Sequence, residues 1–399
     1  MNSQTDIAIV AGVRTPMGRY CGKLKDFTAM ELAAIASQEA IRRSGVEPGE
    51  FDHAVFGNAQ QTSGDALYGA RHVALKAGLP IETPALTVNR LCGSGLQAIV
   101  NGAQMIQLGE ARNVLAGGME SMSQAPHVIR GARTGLGLGE GKLEDSLMVA
   151  LLDTYCGLYM ANTAELYAEQ QGITREKMDE FSLRSQQLAA SAQQACRLHE
   201  EITPVSLRNR KGEPSGELFE KDDHLRPETT IEGLAKLKPA FGKNGTVTAG
   251  NASGIVDGGA AVVLTPLAEA EKRGLKPMGR IVSWGIAGVD PKIMGSGPVP
   301  ASRMALKKAG LKLEEIDLVE VNEAFAGQYL AVEKELGLDR NKVNVNGGAI
   351  ALGHPLGATG TRLVITLLHE LRRRKGKYGL ATACIGGGQG IAMIVENLS

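Results

Sequence analysis

Apolar and polar residues along this chain follow two alternating periods. Short β-prone runs, among them Ile7-Ala8-Ile9-Val10, Ala85-Leu86-Thr87-Val88 and Ala260-Ala261-Val262-Val263-Leu264, alternate with stretches whose apolar residues recur at helical spacing. The clearest helix runs from Gly95 to Leu108, where Leu96, Ile99, Val100, Ala103 and Ile106 share a face. Strands alternating with helices predict an α/β fold, with mixed, largely parallel sheets covered by helices.

The pattern is written twice. Ala40-Ile41-Arg42-Arg43-Ser44-Gly45, continuing through Asp52 to Ala59, aligns without gaps on Ala305-Leu306-Lys307-Lys308-Ala309-Gly310, continuing through Asp317 to Ala324. Further along, Lys76-Ala77-Gly78-Leu79 matches Glu335-Leu336-Gly337-Leu338, and Val88-Asn89 matches Val345-Asn346. Each half then has a Gly-rich turn, a long helix and a strand ending in glycines. Two copies are too few for a solenoid, so the expectation is a duplicated α/β core. Between the copies lies a Gln- and charge-rich stretch with helical patterning at 161–170 and 174–195. The expected organisation is an N-terminal core half (1–120 plus 252–272), an inserted loop domain (121–251) and a C-terminal core half (273–399). Ligands often bind at such boundaries.

Composition narrows the class. Lys plus Arg and Asp plus Glu number 43 each, so no charge excess points to nucleic acid or an anionic membrane. No apolar run reaches the roughly 18 residues of a membrane span, and the first residues enter a strand without a signal-peptide pattern. The cysteines, 5 in all, are odd in number and widely spaced, with no CxxC and no Cys/His ligand spacing; a disulfide framework and a metal site are therefore not expected. A reducing, cytoplasmic setting is expected, and a mitochondrial matrix is compatible with it.

Candidate chemistry sits in glycine-rich turns. Cys92, in Asn89-Arg90-Leu91-Cys92-Gly93-Ser94-Gly95, falls between a strand and a helix, where free N–H groups and the helix dipole favour a thiolate. The other reading is a buried structural cysteine. Three more segments carry reactive or amide groups: Val321-Asn322-Glu323-Ala324-Phe325-Ala326, Gly347 to Gly357 with His354, and Ala383-Cys384-Ile385-Gly386-Gly387-Gly388. All four follow strand-like runs, so they are expected to gather at the carboxyl ends of strands. A nucleophilic thiol needs a base, and a second thiol can move a proton on carbon. Main-chain N–H groups between the glycines can hold an oxyanion. Cys21, Cys156 and Cys196 lack such settings, as do the remaining histidines. Glu323 reads as structural beside Asn322. Gly135-Leu136-Gly137-Leu138-Gly139 has neither the preceding strand nor the later acid of a dinucleotide site.

These blocks, with Gly117-Gly118-Met119-Glu120-Ser121-Met122-Ser123 and Thr248-Ala249-Gly250-Asn251-Ala252-Ser253-Gly254, resemble the signature blocks of the thiolases in order and over the whole chain. The resemblance implies two mixed sheets in an α-β-α-β-α arrangement with an inserted loop domain. It implies that Cys92 carries the acyl group and His354 activates it. Asn322 holds a water that, with His354, forms one oxyanion hole; Cys384 moves the α-proton; the N–H groups of Cys92 and Gly386 form the second hole. Coenzyme A is a substrate, with Arg226 near its adenine and phosphates, Ser253 on the pantetheine arm, and Phe325, Met160 and Met294 around the reactive end. No metal or redox cofactor is implied, and a homotetramer built as a dimer of dimers is.

One departure bears on substrate. Strict acetoacetyl-CoA thiolases typically have His before the pocket methionine, and here Tyr159 precedes Met160. A broad 3-oxoacyl-CoA enzyme is thus favoured over an acetoacetyl-CoA-specific acetyl-CoA C-acetyltransferase. Thr359 stands where Ser is commoner and keeps the hydroxyl. Two rivals are a decarboxylating condensing enzyme, disfavoured by the second cysteine, and an inactive acyl-CoA-binding relative, disfavoured because Cys92 and His354 are both present.

Overall fold

The computed structural model describes residues 6–399. Its spine consists of β1 (Ile7–Arg14), β2 (His53–Gly57), β3 (Ala85–Val88), β4 (Val114–Ser121), β5 (Val256–Pro266), β6 (Gly279–Gly288), β7 (Leu318–Val321), β8 (Tyr378–Ile385) and β9 (Gln389–Asn397). They lie in the order β7-β8-β9-β6-β1-β5-β4-β2-β3, and a two-residue strand, Gly18–Arg19, pairs with the start of β5 to complete a 10-stranded sheet. The two half-sheets expected from the duplication meet where β1 and β6 pair at Ile7↔Ile281, Ala8↔Arg280 and Ile9↔Gly279, so one ladder runs through both. β2 is parallel to β3 and β4, and β7 to β8; the other neighbours are antiparallel.

The repeat seen in the sequence is repeated in space. Helix α1 (Ala29–Ser44) begins at a Thr28/Glu31 capping box and ends at Gly45, φ 69°. α2 (Gly69–Lys76) and α3 (Ser94–Gln107) follow it in the first half, and α4 (Met160–Gln170) and α5 (Arg175–Gln194) occupy the inserted stretch. In the second half α6 (Pro298–Ala309) ends at Gly310, φ 67°, and is followed by α7 (Ala326–Leu336) and α8 (Leu356–Arg374). Asp52 accepts the main-chain N–H of Arg112 at 2.8 Å, and Asp317 that of Lys377 at 2.7 Å, so each copy stitches its strands with the same carboxylate.

Successive strand residues point to opposite faces and so feed different layers. Ala116 and Val262 of one half, with Ala383 and Met393 of the other, face a central layer made by α3 and α8. Their neighbours Leu115 and Val263 pack outward on α1 and α2, while Val319, Leu380 and Ile394 pack outward on α6 and α7. Every residue of α8 from Leu356 to Leu371 is buried, as a helix covered by both halves of the sheet requires. α3 and α8 cross at glycines: a Cβ on Gly95 would lie 2.6 Å from the Thr361 nitrogen, and one on Gly360 2.4 Å from the Leu96 nitrogen. Because they cross at their first turns, the segments leading into both helices are brought together.

The inserted stretch is anchored to this core by buried charge. Arg14, at the end of β1, donates to Glu201 at 2.6 Å and to Asp222 at 2.7 and 2.9 Å. Residues Val205–Arg208 and Pro214–Phe219 of this stretch form a hairpin.

Candidate active site

After β3 the chain turns sharply. The Asn89 side-chain oxygen accepts the Leu91 N–H at 2.9 Å, and Leu91 takes the left-handed conformation, φ 45°, an uncommon one for a branched residue. One 3-10 turn, Leu91–Gly93, then leads into α3 and leaves Cys92 half-buried at its mouth. The main-chain N–H groups of Gly386 and of Cys92 itself point at the sulfur. The thiolate expected at this helix N-terminus is not the resting form. Desolvation, with a smaller contribution from the Glu120 charge, outweighs those donors and pushes the thiol up to about 11.

His354 sits just before α8, close against β5 and the segment leading into it, its own N–H bonded to the Gly254 carbonyl at 2.9 Å. The expectation that a strand precedes it is corrected. Val343 makes a single bridge to Val319, and Asn344, φ 46°, spends its side chain on both main-chain groups of Val321 in place of a ladder. A one-turn helix, Ala349–Leu352, delivers the imidazole instead. Its Nδ1 lies 2.5 Å from Thr359 Oγ1, which itself donates to the Pro355 carbonyl at 3.1 Å. The hydroxyl proton is thereby committed, so the network assigns the hydrogen to Nδ1 and leaves Nε2 as a bare acceptor, 3.3 Å from Asn322 Nδ2. Burial, and the charge of Arg362, hold the imidazole down to about 3, so it is neutral at rest.

Asn322 follows β7, is fully buried, and has an Oδ1 with no hydrogen-bond partner among the described residues. Glu323 is an anchor: its carboxylate accepts from Ser185 Oγ at 2.7 Å, Asn344 Nδ2 at 2.8 Å and the Ile350 N–H at 3.2 Å. Cys384, next to last in β8, is fully buried, and desolvation together with the nearby Cys92 raises its thiol well above the ordinary range. Around it gather Met294, Ala324, Met160 and Phe325. A Cβ on Gly386 would lie 3.0 Å from the Met160 sulfur and 3.1 Å from Leu91 Cδ1, so a larger residue there would crowd this cluster.

Of the expected binding residues, Met160, Met294 and Phe325 therefore join the Cys384 cluster. Ser253 is half-buried beside it, its N–H bonded to the Ala324 carbonyl at 2.9 Å. Arg226 stands apart, exposed on the rim of a cleft of about 210 Å³ that His224, Gly233, Ala249 and Gly250 also line. The stretch from Ala249 to Ser253 leads from this cleft to the buried cluster. A larger cavity, about 1140 Å³ between the middle of β1 and the far end of α8, holds none of these residues. The sequence marks Thr359 only as a retained hydroxyl; its hold on His354 comes from its place one turn along the following helix. Among the described residues no cluster of His, Cys, Asp and Glu could hold a metal ion.

Two family models match, the thiolase N-terminal domain over residues 7–268 and the thiolase C-terminal domain over residues 275–397. The chain belongs to the thiolase family. It is 54% identical over 392 residues to the mitochondrial 3-ketoacyl-CoA thiolase of Homo sapiens, covering 98% of both chains. An acetyl-CoA acetyltransferase of Pseudomonas aeruginosa is 52% identical, with 97% of this chain and 98% of that one covered. The crystal structure of the human mitochondrial 3-ketoacyl-CoA thiolase in complex with CoA superposes with a TM-score of 0.96 at 53% identity, covering 99% of this chain and 98% of that one. The layered fold described above is thus the thiolase fold, and this thiolase sets Cys92 near Cys384 and Asn322 against His354.

Proposed function

We propose that this thiolase cleaves 3-oxoacyl-CoA with coenzyme A to give acetyl-CoA and a shortened acyl-CoA, and runs the reverse condensation. The observation that carries the reading is a pair of neighbouring thiols, two N–H groups converging on one of them, and a buried neutral imidazole beside Asn322, two residues from Ala324 of the Cys384 cluster. His354 Nε2 takes the Cys92 proton as the sulfur attacks the 3-oxo carbon. The oxygen becomes an oxyanion held by the N–H groups of Cys92 and Gly386, each worth about 3 kcal/mol. The C2–C3 bond then breaks, and its electron pair passes into the acetyl-CoA enolate. That enolate oxygen rests against His354 and a water on Asn322 Oδ1 while Cys384 gives its proton to C2. Incoming coenzyme A returns a proton to Cys384, attacks the acyl-Cys92 thioester, and the released sulfur recovers its proton from His354. Every group ends as it began.

Binding follows the same line. Arg226 on the open cleft suits the phosphates and adenine of coenzyme A, Ser253 the pantetheine arm, and Met160, Met294 and Phe325 the acyl end. No metal or redox cofactor takes part. The edge strand β3, with Leu86, Leu67, Tyr68 and Ile81 exposed nearby, supports pairing with a second copy, within a homotetramer. Working thiols require a reducing compartment, the cytoplasm or a mitochondrial matrix. No helix among the described residues is long and apolar enough to cross a membrane.

Tyr159 before Met160 favours the broad substrate range. Thiolysis rates with acetoacetyl-CoA, 3-oxohexanoyl-CoA and 3-oxooctanoyl-CoA test this: turnover of all three is expected, and turnover of acetoacetyl-CoA alone would sink the broad reading.

A further inference from the structure

Glu120 lies at the carboxyl end of β4, fully buried, and it is not one of the groups used in the reaction above. Its Oε1 accepts from Asn58 Nδ2 at 2.9 Å and from the Gln60 N–H at 3.0 Å. Its Oε2 accepts from the Ala59 N–H at 3.1 Å and from the Gly357 N–H at 2.9 Å. These partners belong to two different turns. Gly357 is in the first turn of α8, between His354 and its orienting Thr359. Ala59 belongs to the turn whose carbonyl accepts from Asn89 Nδ2 at 3.1 Å, and the Asn89 oxygen in turn holds the Leu91 N–H next to Cys92. One carboxylate therefore ties the segment that aims the base to the segment that aims the nucleophile, across the two halves of the chain.

We propose that Glu120 is a positioning residue for the thiolase reaction, holding the Cys92 turn and the His354 turn at their working separation. All four of its hydrogen-bond partners among the described residues are N–H donors, so the geometry fits the ionised form. The start of α8 adds a favourable helix N-terminus. Against this, desolvation and the neighbouring Asp257 push the carboxyl up to about 7, so above that pH the charge is present. The same charge opposes ionisation of Cys92. Position and charge therefore act in opposite senses on the nucleophile: Glu120 places the thiol for attack while its charge adds a little to the desolvation that keeps the thiol protonated.

The inference rests on Cys92 as acyl carrier, which acetylation of the unaltered enzyme tests separately. The probe is Glu120→Gln, compared with the unaltered chain at about pH 8. A glutamine of the same shape turns an NH2 toward N–H donors, so kcat for thiolysis is expected to fall at least about tenfold, with KM for coenzyme A within about twofold. At the same time the pH profile of Cys92 alkylation by iodoacetamide, followed by peptide mass, should move down by about half a unit, because the opposing charge is gone. A variant that turns over less yet alkylates at lower pH is not what lost folding produces. Unchanged kcat, or kcat reduced with the alkylation profile unmoved, would overturn the proposal. If Glu120→Gln does not fold, Asn58→Ala decides: it removes one donor, and a lower kcat at unaltered KM supports the role, whereas unaltered kcat refutes it.

Discussion

At Cys92 burial outweighs the local N–H donors, and at His354 it acts together with the Arg362 charge. The thiol at about 11 and the imidazole at about 3 are both neutral near pH 7, so no thiolate–imidazolium pair stands ready. The thiol lies above the working pH and its reactive form grows as pH rises. Alkylation of the substrate-free enzyme should therefore climb about tenfold per unit between roughly pH 7 and 10. A flat profile around neutrality, measured by the rate of Cys92 modification, would show an ion pair instead. Thr359 is expected to matter through His354 alone. Thr359→Val leaves Nδ1–H without its acceptor and should lower kcat roughly ten- to a hundredfold, part of what a placed general base is worth. Thr359→Ser, with the hydroxyl retained, should stay near the unaltered rate, and steady-state kinetics on the two variants separates them. Cys92, His354 and Cys384 were legible in the sequence because each stands in or beside a glycine-rich turn, and Asn322 because it closes a strand-like run in a block that resembles the thiolases. Glu120 and Thr359 were not legible in their roles. Glu120 meets Gly357 across 237 positions, and nothing local in the sequence marks that meeting.

Among the elements, the crossing of α3 and α8 decides whether the site exists. Cys92 and His354 each stand two residues before one of these helices, so the distance between them is set by how closely the first turns approach. Gly360→Ala places a methyl 2.4 Å from the Leu96 nitrogen, a main-chain atom that cannot swing aside. The helices must part, at a cost of about 1–3 kcal/mol. Thermal unfolding should show a lowered Tm, and residual kcat at a temperature where the variant is folded should fall further than the folded fraction explains. Helices and strands were readable from their periods because packing on one face writes the same spacing into the chain. The strand expected before His354 was misread for a physical reason: Val343 and Val345 look β-prone, but Asn344 bonds Val321 through its side chain and turns the chain away.

For the whole molecule, duplication accounts for the layered core and divergence between the copies accounts for the chemistry. Corresponding carboxylates, Asp52 and Asp317, and corresponding cap glycines, Gly45 and Gly310, stayed the same because each copy must still fold. The turns at the carboxyl ends of the strands differ, one copy supplying Cys92 and the other His354, Asn322 and Cys384. The gapless repeat made the two halves readable from the residues alone. Their fusion into one sheet was not, since the β1–β6 pairing covers only Ile7 to Ile9. The account turns on Cys92 as the acyl carrier, and intact-mass measurement after mixing the full chain with acetyl-CoA tests that most directly. One acetyl group per chain on Cys92 is predicted, absent in Cys92→Ala and discharged when coenzyme A is added. No adduct, or an adduct that survives Cys92→Ala, would contradict it.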